Sequence, residues 1–414
     1  MTDRFRIIRA DAWPIYDSRG RQTLAVELAT ATASAMGMAP AGASRGRFEA
    51  HELRDGDGGV QLACQRFAEE LLPMLTGLDC REQRAIDDAM VALDGTAQRT
   101  RLGGNSLIAT SMAVARLAAA AHDMPLWQHL GDGAPRHMPL PEIQIIGGGA
   151  HADGRLPLQD FMIVPVGAPD WPTAMAWTAD VYRATGRLMA DRGILRGVAD
   201  EGGFWPNFKA CEDALGTLTE AIEAAGRQPD REIAISLDVA ANQFHRDGAY
   251  HIDGDRLEPG AWVERLLAWC GRYPIRMIED PCAEVDGEHY AAFCTAYRDQ
   301  GLVVGDDLVV SQAERIRAAL EGGQITAALI KPNQVGTLSE AHDALRACPV
   351  PIVSARSGET EDSTIVDLAV GWQAPFLKVG SITRGERTAK WNRGLRIHRH
   401  RPMPLARFPH PAVA

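Results

Sequence analysis

The chain has 414 residues, 46% of them hydrophobic, and a formal charge of −11 from 43 Lys plus Arg against 54 Asp plus Glu. That length suits a barrel plus one smaller domain, and the acidic balance without a basic run disfavours nucleic acid as a partner. No apolar run approaches the roughly 18 residues of a membrane span, residues 1–6 lack a signal-peptide core, and the seven scattered cysteines form no C-x-x-C. The expectation is a soluble cytoplasmic protein without a membrane partner, disulfides or zinc.

Residues 5–27 read as two strands around the turn Asp17-Ser18-Arg19-Gly20-Arg21, and a third strand is expected over 33–39. The segment Pro40-Ala41-Gly42-Ala43-Ser44-Arg45-Gly46 is too rich in small residues for a core element. It reads either as a mobile loop that closes over a site or as a plain surface connection. From 60 to 121 the periodicity is helical, with breaks at Gly77, Gly95 and Gly103-Gly104; the most regular part, 106–122, reads as core packing. The Gly- and Pro-containing stretch 131–141 marks a boundary. The domains expected are an N-terminal α+β cap over 1–135, a second domain over 136–398 and a loosely held tail over 399–414.

The second domain alternates short apolar runs with helical segments. Runs at 141–146 and 158–165 open it, a helix over 171–192 follows, a strand is expected to end in 198–204 with adjacent Asp200 and Glu201, and a helix covers 212–225. Further runs at 233–238, 276–279, 302–306, 327–331, 351–356 and 375–378 each end in a charged residue, with helices at 262–270, 312–321 and 338–347 among them. A buried parallel strand reads as a continuous apolar run, so this alternation predicts an α/β fold of the (β/α)8 barrel type.

Chemistry in such a barrel sits at the C-terminal strand ends. Those ends present three acids, Asp238, Glu279 and Asp306, then Lys331 and Lys378 with Arg356 between them. Three converging carboxylates repel unless a cation joins them, and hard oxygen ligands select Mg²⁺. The chain has only four lysines, at 209, 331, 378 and 390. Arginine cannot act as a base at accessible pH, whereas a lysine near other cations can lose its proton. One strand-end lysine alone can equally be solvated or salt-bridged; two beside three acids suggest proton abstraction with charge neutralisation.

The motifs Asp200-Glu201-Gly202-Gly203-Phe204, Ser236-Leu237-Asp238, Ile278-Glu279-Asp280-Pro281, Val304-Gly305-Asp306-Asp307, Lys331-Pro332-Asn333-Gln334, Arg356-Ser357-Gly358-Glu359 and Lys378-Val379-Gly380-Ser381 together resemble the enolases. The likeness also takes in Asp17-Ser18-Arg19-Gly20, Gly42-Ala43-Ser44 and 148–165, and so spans nearly the whole chain. It implies an N-terminal three-strand meander with helices and a barrel whose second strand runs antiparallel. It further implies that Asp238, Glu279 and Asp306 hold Mg²⁺, that Ser44 helps bind a second Mg²⁺ with substrate present, that Lys331 is the base and that Lys378 sits beside the substrate carboxylate. Glu201 would assist loss of the β-hydroxyl. His151, Gln159, Arg356 and Ser357 would be further active-site positions, the last two on phosphate, and the assembly would be a homodimer.

Several departures from the family pattern fall inside that site. S-H-R-S becomes Ser354-Ala355-Arg356-Ser357, and Q-E-F becomes Gln159-Asp160-Phe161. The second change withdraws a catalytic carboxylate by about 1.5 Å, and a misplacement near 1 Å can cost on the order of a hundredfold in rate. N-G-G becomes Gly147-Gly148-Gly149, the loop threonine becomes Arg45, and Lys331 is followed by Pro332, which should hold it extended. Room at Ala355 plus a cation at Arg45 suits a phosphorus-containing anionic substrate with an extra carboxylate, as in carboxyphosphonoenolpyruvate synthases. The alternatives are an ordinary enolase acting on 2-phosphoglycerate and a silent scaffold used for binding. Neighbouring cations are expected to lower the pKa of Lys331.

Overall fold

The computed structural model describes residues 4–42, 46–131 and 135–409. At the N-terminus β1 (Arg9–Tyr16), β2 (Gln22–Ala29) and β3 (Ser34–Met38) form an antiparallel meander. The β1–β2 turn is tied by Asp17, whose Oδ1 accepts from the backbone N–H groups of Arg19 and Arg21, both at 2.9 Å. The helix Gly104–Ala121 is buried almost throughout because it lies between this meander and the barrel domain.

Eight strands close the barrel. The first three are β4 (Leu140–Gly147), β5 (Asp160–Val164) and β6 (Ala234–Asp238). After β6 the chain makes a small antiparallel sheet, β7 (His245–Arg246), β8 (Ala249–Ile252) and β9 (Asp255–Leu257). The barrel then resumes with β10 (Ile275–Glu279), β11 (Leu302–Gly305), β12 (Ala327–Ile330), β13 (Pro351–Ser354) and β14 (Phe376–Ser381). Its order is β10-β11-β12-β13-β14-β4-β5-β6, and each pairing is parallel except those of β5, which is antiparallel to both neighbours. The link from β4 to β5 contains only a 3₁₀ turn, Gly149–Ala152, with no crossover helix, so β5 must return in the opposite direction. Its first residue, Asp160, therefore reaches the rim where β4 and β6 end, in register with Gly147 and Asp238.

The small sheet was not anticipated, although its signal is local. Asp247-Gly248 and Asp253-Gly254 both take positive φ (51° and 70°; 52° and 89°), as tight hairpin turns require. The stretch 198–204, expected to end a strand, is instead a loop tethered by isolated bridges from Phe204 to Ile146 and to Val198. Gly202 has φ +96°, and a Cβ there would meet the Thr383 carbonyl oxygen at 2.9 Å, so the chain folds back where a strand would have continued. The loosely held tail is also corrected over 401–409. The helix Gly385–His400 is followed by a segment whose Pro404 carbonyl accepts from Met138 N (2.9 Å) and whose Ala406 N donates to Met138 O (2.7 Å). Met403, Leu405 and Ala406 are buried, and Phe408 meets Phe376 edge-on at 5.5 Å, so apolar burial holds the segment. Among the described residues no helix is long and apolar enough to cross a membrane.

Candidate active site

The strand ends converge as the charge pattern predicts. One cavity at the C-terminal rim is lined by Asp238, Asp306, Lys331, Lys378, Arg356 and Ser357, together with His151, Gln159, Asp160 and Glu201. Glu279 lies against it, its Oε2 accepting from Lys378 Nζ at 2.6 Å. The same ammonium donates to Asp238 Oδ2 at 3.0 Å and stands 4.0 Å from Asp160 Oδ2. Lys331 follows β12 directly and donates to Asp306 Oδ2. Ser44 and Arg45 lie outside the described residues.

Lys331 is extended (φ −110°, ψ 100°) because Pro332 opens the helix Pro332–Val335 behind it. Its pKa is raised, contrary to the sequence expectation. Burial pulls it down and Arg356 and Lys378 add to that, but the charges of Asp306 and Glu279 outweigh them. Lys378 is likewise held well above its ordinary value: burial opposes, and Asp238, Glu279 and Asp160 win.

A hard dication fits this set. The donors are carboxylate oxygens, and Glu279 Oε1 is buried without a hydrogen-bond partner. Burial, reinforced by the charge of Asp238, pushes the Glu279 carboxyl well up, which is the mark of an acid short of positive charge. Among the described residues, the groups of three ligand-type side chains whose atoms lie within 4.8 Å of one another are Asp280–Asp306–Asp307 and His151–Asp160–Glu201; Asp238, Glu279 and Asp306 do not form such a group. Asp280 itself escaped the sequence reading. It is buried, and its carboxylate accepts from Asp306 N (3.1 Å), Asp307 N (2.8 Å) and the Tyr290 hydroxyl (3.0 Å), which fixes the turn that presents Asp306.

The other side of the cavity comes from β4, β5 and the loop after residue 198. Asp160 is fully buried; its Oδ1 accepts from His151 Nδ1 (2.8 Å) and from the Gln144 amide, while Oδ2 has no hydrogen-bond partner. Gly203 N donates to Gln144 Oε1 at 2.8 Å, which turns the Gln144 amino group toward Asp160. One oxygen of the shortened acid thus holds His151, and the other is left facing Lys378 at 4.0 Å. Burial depresses the His151 pKa, but Asp160 and Glu201 outweigh it and raise the value to about 9. Glu201 lies 3.9 Å from His151 Nε2 and 4.0 Å from Arg387 Nη2, and burial still raises its pKa. Gly380 (φ +105°) leaves room for it, since a Cβ there would meet Glu201 Oε2 at 2.9 Å.

The N-terminal domain supplies one site residue with no local signature. Glu49 Oε2 accepts from Arg356 Nη1 at 3.0 Å, and its Oε1 from Gln334 Nε2 at 3.3 Å; Gln334 also reaches Asp306 Oδ1 at 3.2 Å. Gln159 donates to Asp238 Oδ2 at 2.8 Å and accepts from Gln243 at 2.5 Å. Ser357 carries its carbonyl to Arg387 Nη2 at 2.5 Å. Ala355, beside Arg356, lines the cavity where the family pattern has histidine.

Two family models match the chain: "Enolase, N-terminal domain" over residues 7–130 and "Enolase, C-terminal TIM barrel domain" over residues 135–401.

Proposed function

Because the chain belongs to the enolase family, we propose that this enolase-like lyase uses Mg²⁺ to dehydrate a relative of 2-phosphoglycerate that carries a carboxyphosphono group, leaving the corresponding enolpyruvate. The observation that carries the lyase reading is that Lys331 and Glu201 face one cavity from different sides. Lys331 takes the proton alpha to the substrate carboxylate. Glu201, whose carboxyl pKa is raised by burial, assists the departing β-hydroxyl as general acid, so that water leaves and a carbon–carbon double bond remains. Asp238, Glu279 and Asp306 would hold one Mg²⁺, and Ser44 a second, supplying Lewis-acid stabilisation of the dianion and neutralising the carboxylates that keep Lys331 charged. Lys378 adds positive charge beside the substrate carboxylate. Arg356 and Ser357 take the phosphorus group, Gln159 and His151 orient the substrate, and Arg45 meets the extra carboxylate. Two such chains form a homodimer.

What favours the carboxyphosphono substrate over 2-phosphoglycerate is the cavity wall at Ala355, next to the phosphate-binding Arg356. Both substrates should be assayed for Mg²⁺-dependent exchange of the alpha proton with solvent and for steady-state turnover. The expected result is exchange with both and the higher kcat/KM for the carboxyphosphono compound. Turnover of 2-phosphoglycerate at roughly 10 per second or more would make the protein an ordinary enolase, and absence of exchange with either compound would leave a scaffold without chemistry.

A further inference from the structure

The turn between β1 and β2 lies far from the barrel in sequence, yet it docks on two loops of the site. Ser18 N donates to Glu359 O at 2.8 Å, and the Ser18 carbonyl accepts from Arg384 Nη2 at 3.0 Å. The next residue, Arg19, has a side chain only 8% exposed and donates through Nε to Asp200 Oδ2 at 2.6 Å. Its Nη1 and Nη2 are buried with no hydrogen-bond partner among the described residues. A guanidinium is costly to bury with most of its donors unmet, and a turn needs no cation for packing. The interaction it does make is with the residue immediately before Glu201.

The segment carrying Glu201 is otherwise held through its backbone: Ala199 N donates to Gly203 O (2.7 Å), Asp200 N to His151 O (3.0 Å), Ser381 N to Glu201 O (3.0 Å), Gly202 N to Ala199 O (3.0 Å) and Gly203 N to Gln144 Oε1 (2.8 Å), while the Gly202 carbonyl accepts from the Tyr182 and Thr383 hydroxyls at 3.0 and 2.7 Å. None of them involves the side chain of Asp200, a third of which is exposed. Among the described residues, Arg19 makes the one hydrogen bond to the Asp200 side chain. We propose that Arg19 is a positioning residue for Glu201: by clamping Asp200 it lets the N-terminal domain set the placement of the acid that serves loss of the hydroxyl, while Lys331, just after β12, is left untouched. This rests on the assignment of Lys331 and Glu201 to separate halves of the reaction.

The test uses Arg19→Ala and Asp200→Ala in the full-length chain, with Arg19→Lys as the conservative variant. With the substrate that the unmodified protein turns over in Mg²⁺, elimination should fall about 10- to 100-fold, the scale of a misplaced reacting group. Alpha-proton exchange should stay within about twofold, and the double variant should be no worse than either single one, because both break the same contact. Arg19→Lys should recover part of the loss. Amide hydrogen exchange over residues 199–203 should quicken in Arg19→Ala, a readout that needs no substrate. Unchanged protection of that loop overturns the proposal, as does a parallel fall of exchange and elimination or an additive double variant. Absence of alpha-proton exchange in the unmodified protein would instead defeat the lyase reading, and the loop measurement would still decide the role of Arg19. Should Arg19→Ala not fold, Asp200→Ala, at a partly exposed site, carries the same comparison.

Discussion

The two sides of the cavity are built on different plans. On the β6, β10, β11, β12 and β14 side the charges come from strand ends or, for Lys378, expected to end its strand, from within β14, and they compensate one another, Lys378 with Asp238 and Glu279, Lys331 with Asp306. On the β4–β5 side a buried histidine is tied to a buried aspartate, and Glu201 has its nearest cations only at 3.9 and 4.0 Å. The first arrangement concentrates charge that a metal ion can take over. In the second, burial without close pairing raises the Glu201 carboxyl pKa, and the close Asp160 carboxylate raises that of the His151 imidazole.

Breaking the strand-end side should have the largest effect. Lys331→Ala should lower alpha-proton exchange by about 10²- to 10⁴-fold, the range for losing a general base, with Mg²⁺ affinity nearly intact; exchange followed by NMR in deuterated buffer checks it. An unchanged rate would mean that the base lies elsewhere.

On the histidine side the comparison can be sharpened by pH. The His151 pKa is raised from 6.5 to about 9, so the stabilisation from its charged form is complete below about pH 6.5 and disappears as pH climbs through about 9. It amounts to roughly 3 kcal/mol. Denaturant unfolding at pH 6 and pH 10 should show that loss, and Asp160→Asn should flatten it. A smaller change is expected for Glu279→Gln, which should weaken Mg²⁺ binding by about 10- to 100-fold in titration calorimetry; wild-type affinity would remove Glu279 from the ligand set. Smallest is Ala355→His. Filling that wall should shift the kcat/KM ratio toward 2-phosphoglycerate by about tenfold, and an unaltered ratio would dissociate Ala355 from substrate choice.

The difference between the two sides also governs what could be read in advance. Asp238 and Glu279 end strands, Asp306 and Lys331 follow strand ends directly and Arg356 comes two residues after one, so a period and a terminal charge locate them. Glu201 sits in a loop that pattern alone mistook for a strand, and its likeness to a family motif placed it. Gln144 escaped notice because a polar residue inside an apolar run gives no hint that its amide will be oriented by Gly203 and aimed at Asp160. Asp280 was overshadowed by its neighbour Glu279, although its own carboxylate shapes the Asp306 turn.

By itself the order of residues determined the barrel, its charged mouth and the family, since strand period, burial and motif spacing are properties of short segments. Only tertiary structure decided that Glu49 would meet Arg356 across 307 positions, that Arg19 would reach Asp200, and that Asp306 and Glu279 would raise the pKa of Lys331. Those outcomes depend on how many charges lie within a few ångströms of a buried atom. Coulomb interactions at that range are set by packing of distant segments, which no local spacing encodes.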